Sequence, residues 1–157
     1  MPLIEIRTEI KAPISVCFEL SRSVDLHIIS TNKTGEQAIA GRTSGLMTLN
    51  ETVTWKAKHL YVWQTLSSRI TEFNYPTFFA DEMVKGAFKS FRHEHKFEDC
   101  GTHTVMIDRF DYTSPLGRLG RLADTLFLKR YMNALLAERN RVIKEYAESG
   151  KWRAVLA

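Results

Sequence analysis

Residues 114–147 read SPLGRLGRLADTLFLKRYMNALLAERNRVIKEYA, Ser114 through Ala147, and the reading of this run decides the fold. Apolar residues recur at Leu119, Leu122, Ala123, Leu126, Phe127, Tyr131, Leu135, Val142 and Tyr146. That spacing lays an apolar stripe along one face of a 3.6-period helix. Ser114 is placed to cap the first free amides, and Pro115 at the first helical position has no amide to leave unpaired. Arg141, Lys144 and Lys151 lie toward the C-terminal end, where positive charge suits the helix dipole. Gly117 and Gly120 each cost about 1 kcal/mol against Ala in a helix. Close approach to another backbone is the expected reason for keeping them. One long amphipathic helix of this kind needs an apolar surface to lie on.

The residues before it supply that surface. Ile4, Ile6, Thr8 and Ile10 alternate with Glu5, Arg7 and Glu9 as a strand. Pro13 starts a short helix with Val16, Cys17 and Leu20 on its apolar side, and Ser23 caps a second one running to Ile29. Polar, glycine-containing chain from Ser30 to Asn50 leaves room for one short strand near 37–42. Consecutive strands then follow. The first carries Val53, Trp55 and Ala57, and a turn near His59 to Tyr61 leads into a second from Val62 to Phe73. Asn74-Tyr75-Pro76 makes a turn before a strand from Phe78 to about Val84, which Gly86 breaks. In the next strand Phe91, His93, His95 and Phe97 face one way, and Arg92, Glu94, Lys96 and Glu98 the other. This is the cleanest period-two pattern in the chain. Asp99 to Thr102 forms a turn, and Thr104 to Tyr112 is the last strand. The expected fold is α+β in a single domain spanning 1–157. A curved antiparallel sheet of about six to seven strands grips the C-terminal helix, with two short helices after strand 1. A strongly curved sheet wrapped on one helix leaves its middle hard to fill, so an internal cavity is expected.

Composition narrows the function classes. A chain of 157 residues with 44% hydrophobic and 25% charged residues is an ordinary globular one, with no apolar run near the roughly 18 residues of a membrane span. The N-terminus lacks a secretory pattern, and Cys17 and Cys100 have no metal-like spacing, so reduced thiols and a cytoplasmic location are expected. The net charge of +4 is unevenly spread. Residues 1–115 hold thirteen Lys/Arg against fourteen Asp/Glu, and residues 116–157 hold nine against four. The basic C-terminal face reads first as a solvated helix face, and second as a surface for weak contact with an anionic membrane. No nucleic-acid motif accompanies the charge. A homodimer stays open.

Several stretches then carry a resemblance. TLSSRITE (Thr65–Glu72), FFADEMVKGAFKSFRHEHKFE (Phe78–Glu98), GTHTVMID (Gly101–Asp108) and SPLGRLGRLAD (Ser114–Asp124) together resemble a bacterial branch of the START and birch-allergen-like helix-grip superfamily, often called SRPBCC. The most specific parts are Asp81-Glu82, His93-x-His95-x-Phe97, Gly101-Thr102, Asp108 and Pro115-x-Gly117-x-x-Gly120. The resemblance covers most of the chain. It implies a cavity between sheet and helix that takes hydrophobic or amphipathic small molecules. That superfamily includes lipid carriers, metabolite binders, polyketide cyclases and many proteins of unassigned function.

Candidate chemistry centres on His93 and His95, which share an inward face with Phe91 and Phe97. A buried imidazole needs a hydrogen-bond partner, and Asp108 or Glu82 on the flanking strands lies within cross-strand reach. Such a cluster fixes strand register, holds a ligand's polar group, or moves a proton. Of the neighbours Asp81 and Glu82, only one can face inward, and Glu82 is the expected one. Zinc on His93 and His95 would want a third ligand from Glu82, Asp108 or His103; His103 is out of phase with Asp108, and neither a metal site nor a cofactor is expected. Arg69 is read as outward. Arg130 interrupts the stripe between Phe127 and Tyr131 and either meets a ligand or snorkels past the helix edge. Trp55, Phe79, Phe88, Phe110, Phe127 and Tyr131 supply aromatic core, a minority of it pocket wall. Cys17 reads as inert, and no nucleophile triad or phosphate loop occurs. The expected function is binding of a hydrophobic or amphipathic small molecule as carrier or sensor. Its site would draw on Glu82, Phe91, His93, His95, Asp108, Tyr112, Phe127, Arg130 and Tyr131. The glycine-containing stretch from Thr34 to Gly45 and the short helices would form the entrance. The rival is a cyclase-, aromatase- or hydrolase-like enzyme using His93, His95 and Asp108 as catalytic candidates.

Overall fold

A computed structural model describes residues 2–157, leaving aside the side chains of Asp124 and Thr125. The strands are β1 (Leu3–Ile10), β2 (Gln37–Gly41), β3 (Thr52–His59), β4 (Val62–Asn74), β5 (Phe78–Lys85), β6 (Ser90–Asp99) and β7 (Thr104–Thr113). They pair antiparallel in the order β1-β7-β6-β5-β4-β3-β2. Each strand from β2 to β7 therefore pairs with its sequence neighbour, and β1 closes on β7. Helices α1 (Ile14–Ser21) and α2 (Val24–Ser30) follow β1, and the Ser23 hydroxyl accepts from the Leu26 amide at the start of α2. The sheet curves around the C-terminal helix, so the α+β architecture is the expected one. The β3–β4 turn holds Leu60 and Tyr61 at φ 51° and 68°, a left-handed pair that matches the twist of a two-residue hairpin.

The C-terminal helix departs from expectation in two ways. It begins at Gly117, after Leu116 at φ 67°, two residues later than the expected start at Pro115. It is also not uniform: α3 (Gly117–Ala123) passes through a π-turn (Asp124–Leu128) into α4 (Lys129–Ser149). The wider turn shifts the phase of everything before it against everything after it. Leu119, Leu122, Leu126 and Phe127 consequently stand 68, 55, 65 and 47% exposed, so the first half of the expected stripe meets solvent. The buried face of α4 is instead Leu136, Arg139, Asn140, Val142, Ile143 and Ala147. Two polar residues lie within it. Gly120 meets the expectation of close approach, since a Cβ there would sit 2.0 Å from the Pro115 carbonyl oxygen. Gly150 at φ 81° ends α4 in the left-handed conformation that favours glycine.

Two apolar clusters hold sheet and helices together. In the larger, the fully buried Phe18 of α1 meets Phe73, Phe79 and Phe97 edge-on at 5.3–5.4 Å between ring centres. Burying such a side chain contributes roughly 1.5–3 kcal/mol. The smaller joins Ile4, Phe91, Phe110, Tyr112 and Leu136. Among the described residues no helix is long and apolar enough to cross a membrane.

Candidate functional site

A cavity of about 370 Å³ lies between the sheet and α4, within the about 300–1,000 Å³ range of small-molecule pockets. Its apolar wall includes Trp55, Ile70, Phe79, Phe91, Phe110 and Leu136. Leu60, half exposed on the β3–β4 turn, and exposed Pro115 mark its rim.

The polar part of the wall follows from strand parity. β5, β6 and β7 are neighbours, and in register Asp81 stands opposite His93, while His95 stands opposite Asp108. All four side chains point to the concave face. The hydrogen bonds run diagonally across this square. His93 Nε2 lies 3.1 Å from Asp108 Oδ1, and His95 Nε2 lies 3.1 Å from Asp81 Oδ1. The second nitrogen of His95, Nδ1, is 2.9 Å from Asp108 Oδ1 but lacks an aligned hydrogen bond. Its ring is shared between two carboxylates, one well aimed and one merely close. Helix α4 completes the cluster. Asn140 Nδ2 donates to Asp108 Oδ2 at 2.7 Å, and Arg139 Nη1 lies 3.6 Å from Asp108 Oδ1 while Nη2 donates to the Ser21 carbonyl at 2.8 Å. Phe79 stacks on His95 at 4.2 Å and nearly parallel.

Burial and pairing split the two imidazoles. Burial, with the neighbouring charge of His95, pushes His93 down to about 4 against the opposing pull of Asp108 and Asp81. Burial would lower His95 too, but contact with Asp108 and Asp81 outweighs it and raises this imidazole above its ordinary value. Burial alone would raise the two carboxyls; their histidine partners hold Asp81 below, and Asp108 well below, the usual carboxylate range. At neutral pH His93 is uncharged, and with Nε2–H given to Asp108 its Nδ1 carries the lone pair. With His95 protonated, the direction in which its two carboxylate neighbours push it, Asp81, Asp108, His95 and Arg139 sum to zero, which is how a buried ionic cluster escapes an uncompensated charge.

A second polar group lines the same cavity. His27 Nε2 lies 3.2 Å from Glu36 Oε1, and the His27 ring is tilted against Trp55 at 4.2 Å. His59 Nδ1 meets the Tyr131 hydroxyl at 2.9 Å, joining the end of β3 to α4. Burial lowers His59, partly offset by Glu36; the charge of His27 outweighs the burial of Glu36 and lowers its carboxyl.

The expected site residues divide accordingly. Phe91, His93, His95 and Tyr131 line the cavity, with Trp55, Phe79, Phe88 and Phe110. Asp108 sits behind the imidazoles, 1% exposed, and orients them without forming wall. Glu82 is corrected: it lies on the outer face, 3.4 Å from Arg92, and Asp81 is the inward carboxylate. Phe127 and Arg130 are exposed and away from the wall, and Tyr112 is buried in the smaller apolar cluster. Arg69 faces out as expected. The entrance stretch contributes Glu36 to the lining, α2 contributes His27, and Thr31 joins them from the residue that follows α2. Burial pushes the Cys17 thiol up to about 11, in keeping with an inert reading. Sequence reasoning missed Asp81, Arg139, Asn140, His27, Glu36 and His59. The spacing of 136, 139, 140, 143 and 147 was the available signal for Arg139 and Asn140, since it puts both on the face of Leu136 and Ile143.

No protein-family model matches the chain, and no curated protein sequence does. Solved structures do. The protein TTHA0849 from Thermus thermophilus superposes with a TM-score of 0.70 at 14% identity, over 90% of this chain and 97% of that one. Ginseng major latex-like protein 151 from Panax ginseng gives 0.69 at 17% identity, over 93% and 97%. An Arthrobacter aurescens protein solved by NMR gives 0.67 at 11%, over 93% and 88%. The chain has the helix-grip fold. At these identities the likeness extends to the fold alone.

Proposed function

We propose that the protein binds a hydrophobic or amphipathic small molecule, non-covalently, between the sheet and α4, as a carrier or sensor. The observation that supports this best is the cavity itself: an apolar wall with one buried, charge-balanced polar cluster. Trp55, Ile70, Phe79, Phe91 and Leu136 would hold the apolar body, and desolvation of that body supplies affinity. His93, through its uncharged ring, accepts a hydrogen bond from the polar end, and Asp81 accepts another. Native mass spectrometry of the protein from its own source tests the reading. A stoichiometric co-purifying apolar compound supports it; ligand-free protein that binds no apolar probe counts against it.

A second reading has its own observation. Two adjacent imidazoles, tilted against each other with ring centres 3.8 Å apart, are driven in opposite directions by their surroundings. Such a split is how one site provides both an acid and a base near neutral pH. A cyclase-, aromatase- or hydrolase-like reaction would use His95 as acid and His93 as base. Replacing His93 by Gln separates the readings: a binder keeps most of its affinity, and a catalyst loses about 10²–10⁴ in turnover.

Contact with an anionic membrane draws support from exposed Leu116, Leu119, Leu122, Leu126 and Phe127. The run 116–130 also carries four basic residues against one acidic. Co-sedimentation with anionic vesicles that weakens as salt rises is the expected result; salt-independent or absent binding contradicts it.

A further inference from the structure

The sequence offers Glu82, Asp108 or His103 as a third ligand beside His93 and His95, and leaves Asp81 out of the set. With Asp81 as the inward carboxylate, the constellation changes. Asp81, His93 and His95 each offer one ligand atom, and these atoms lie within 4.8 Å of one another. The pair already in place, His95 Nε2 and Asp81 Oδ1, is 3.1 Å apart. Two ligands bound at about 2.0–2.1 Å sit about 2.8–3.0 Å from each other in octahedral geometry and about 3.3–3.4 Å in tetrahedral. That edge is thus preformed, and the third ligand atom, from His93, lies within 4.8 Å of both.

The supporting shell points the same way. A metal-bound histidine characteristically gives its other ring N–H to a carboxylate, which fixes tautomer and ring orientation. Asp108 Oδ1 lies 3.1 Å from His93 Nε2 and 2.9 Å from His95 Nδ1, so one carboxylate serves the far nitrogen of both rings. Asn140 and Arg139 in turn hold Asp108. The nitrogens left over are His93 Nδ1 and His95 Nε2. His95 Nδ1, buried yet without an aligned bond, has its ring held by the contact to Asp81 that a metal ion would replace.

We propose that Asp81, His93 and His95 form a three-ligand site for a divalent first-row transition-metal ion, zinc or ferrous iron, with its open positions facing the apolar cavity. Two imidazoles and one carboxylate on one side of the ion leave room for water or for the polar end of a bound molecule. The charge balance specifies that end. Without the His95 proton, Asp81, Asp108 and Arg139 carry −1 together. A divalent ion brings the cluster to +1, which suits an anionic group such as a carboxylate, an enolate or hydroxide. The inference goes beyond amphiphile binding and stands independently of it.

Nitrogen-edited imidazole NMR of the intact protein, titrated with zinc chloride after EDTA treatment, tests the site without any substitution. The expected result is a saturable one-to-one change confined to His93 and His95, with His95 losing its Nε2 proton. Unchanged His93 and His95 resonances at millimolar zinc overturn the proposal, and so do changes confined to His27, His59 or His103. Asp81→Asn, on the same strand face, should weaken zinc by at least about 10-fold while leaving the backbone spectrum intact; equal affinity overturns it. Binding of an apolar probe in EDTA reports on the cavity alone, so failure of one idea is read separately from failure of the other.

Discussion

His95 and Asp81 meet on a diagonal, Nε2 to Oδ1 at 3.1 Å, although the sheet register sets His95 opposite Phe79 and Asp81 opposite His93. The mirror-image diagonal joins His93 to Asp108. Crossed pairing lets each imidazole touch a carboxylate while the two rings stay in contact at 3.8 Å. It makes the cluster one unit.

Loss of one member should therefore cost more than a surface ion pair. Asp108→Asn removes the charge beside His95 and Arg139 and leaves Asp81 alone to balance both. Urea unfolding should show a loss of about 3–5 kcal/mol, the magnitude for breaking a buried pair. A loss below about 1 kcal/mol, the surface-pair value, would contradict the buried ionic cluster.

Stability should also depend on pH in a way set by His93. Folded, this imidazole titrates near 4, against an ordinary 6.5, so between those values the unfolded chain binds more protons. The contribution of His93 to stability is fully present above pH 6.5 and falls as pH drops toward 4. His95, raised in the fold, acts in the opposite sense: its contribution is present at low pH and is lost as pH rises through its folded value. In His93→Gln the decline between pH 6.5 and 4 should flatten. An unchanged slope in urea midpoints would place the titration elsewhere.

The two halves of the C-terminal helix should respond differently to mutation. Leu136→Ala, at 9% exposure on the inner face, should cost about 2–5 kcal/mol. Leu119→Ser, at 68% exposure, should stay within about 0.5 kcal/mol. Equal costs in thermal unfolding would mean that the stripe read from the sequence packs as one surface after all.

Much of this was legible in the sequence, for physical reasons. Strict alternation in β6, with charges at every second position, left His93 and His95 no face but the inner one. The parity of Asp108 on β7 followed. β5 gave no such signal, because Phe78, Ala80 and Val84 on one face are as apolar as Phe79 and Met83 on the other. Asp81 and Glu82 were therefore interchangeable by pattern. The phase change at Asp124–Leu128 is a backbone event that apolar spacing does not encode. Arg139 and Asn140 look like solvent-facing helix residues until a buried acid from a distant strand is brought to them.

Filling the cavity should weaken binding and spare the fold. Met132 lines it from α4, and Met132→Trp should weaken an apolar probe by about tenfold or more, equivalent to about 1.4 kcal/mol. Fluorescence titration with anilinonaphthalene sulfonate, an apolar body with one anionic end, measures this. Undiminished affinity would place the probe outside.

The most direct measurement is the same probe followed residue by residue, in an amide NMR titration of the metal-free protein. Binding between sheet and helix predicts a saturable one-to-one response at Trp55, Phe79, Phe91, His93 and Leu136. No saturable response, or one confined to Leu119, Leu122 and Phe127 on the outer surface, would contradict it.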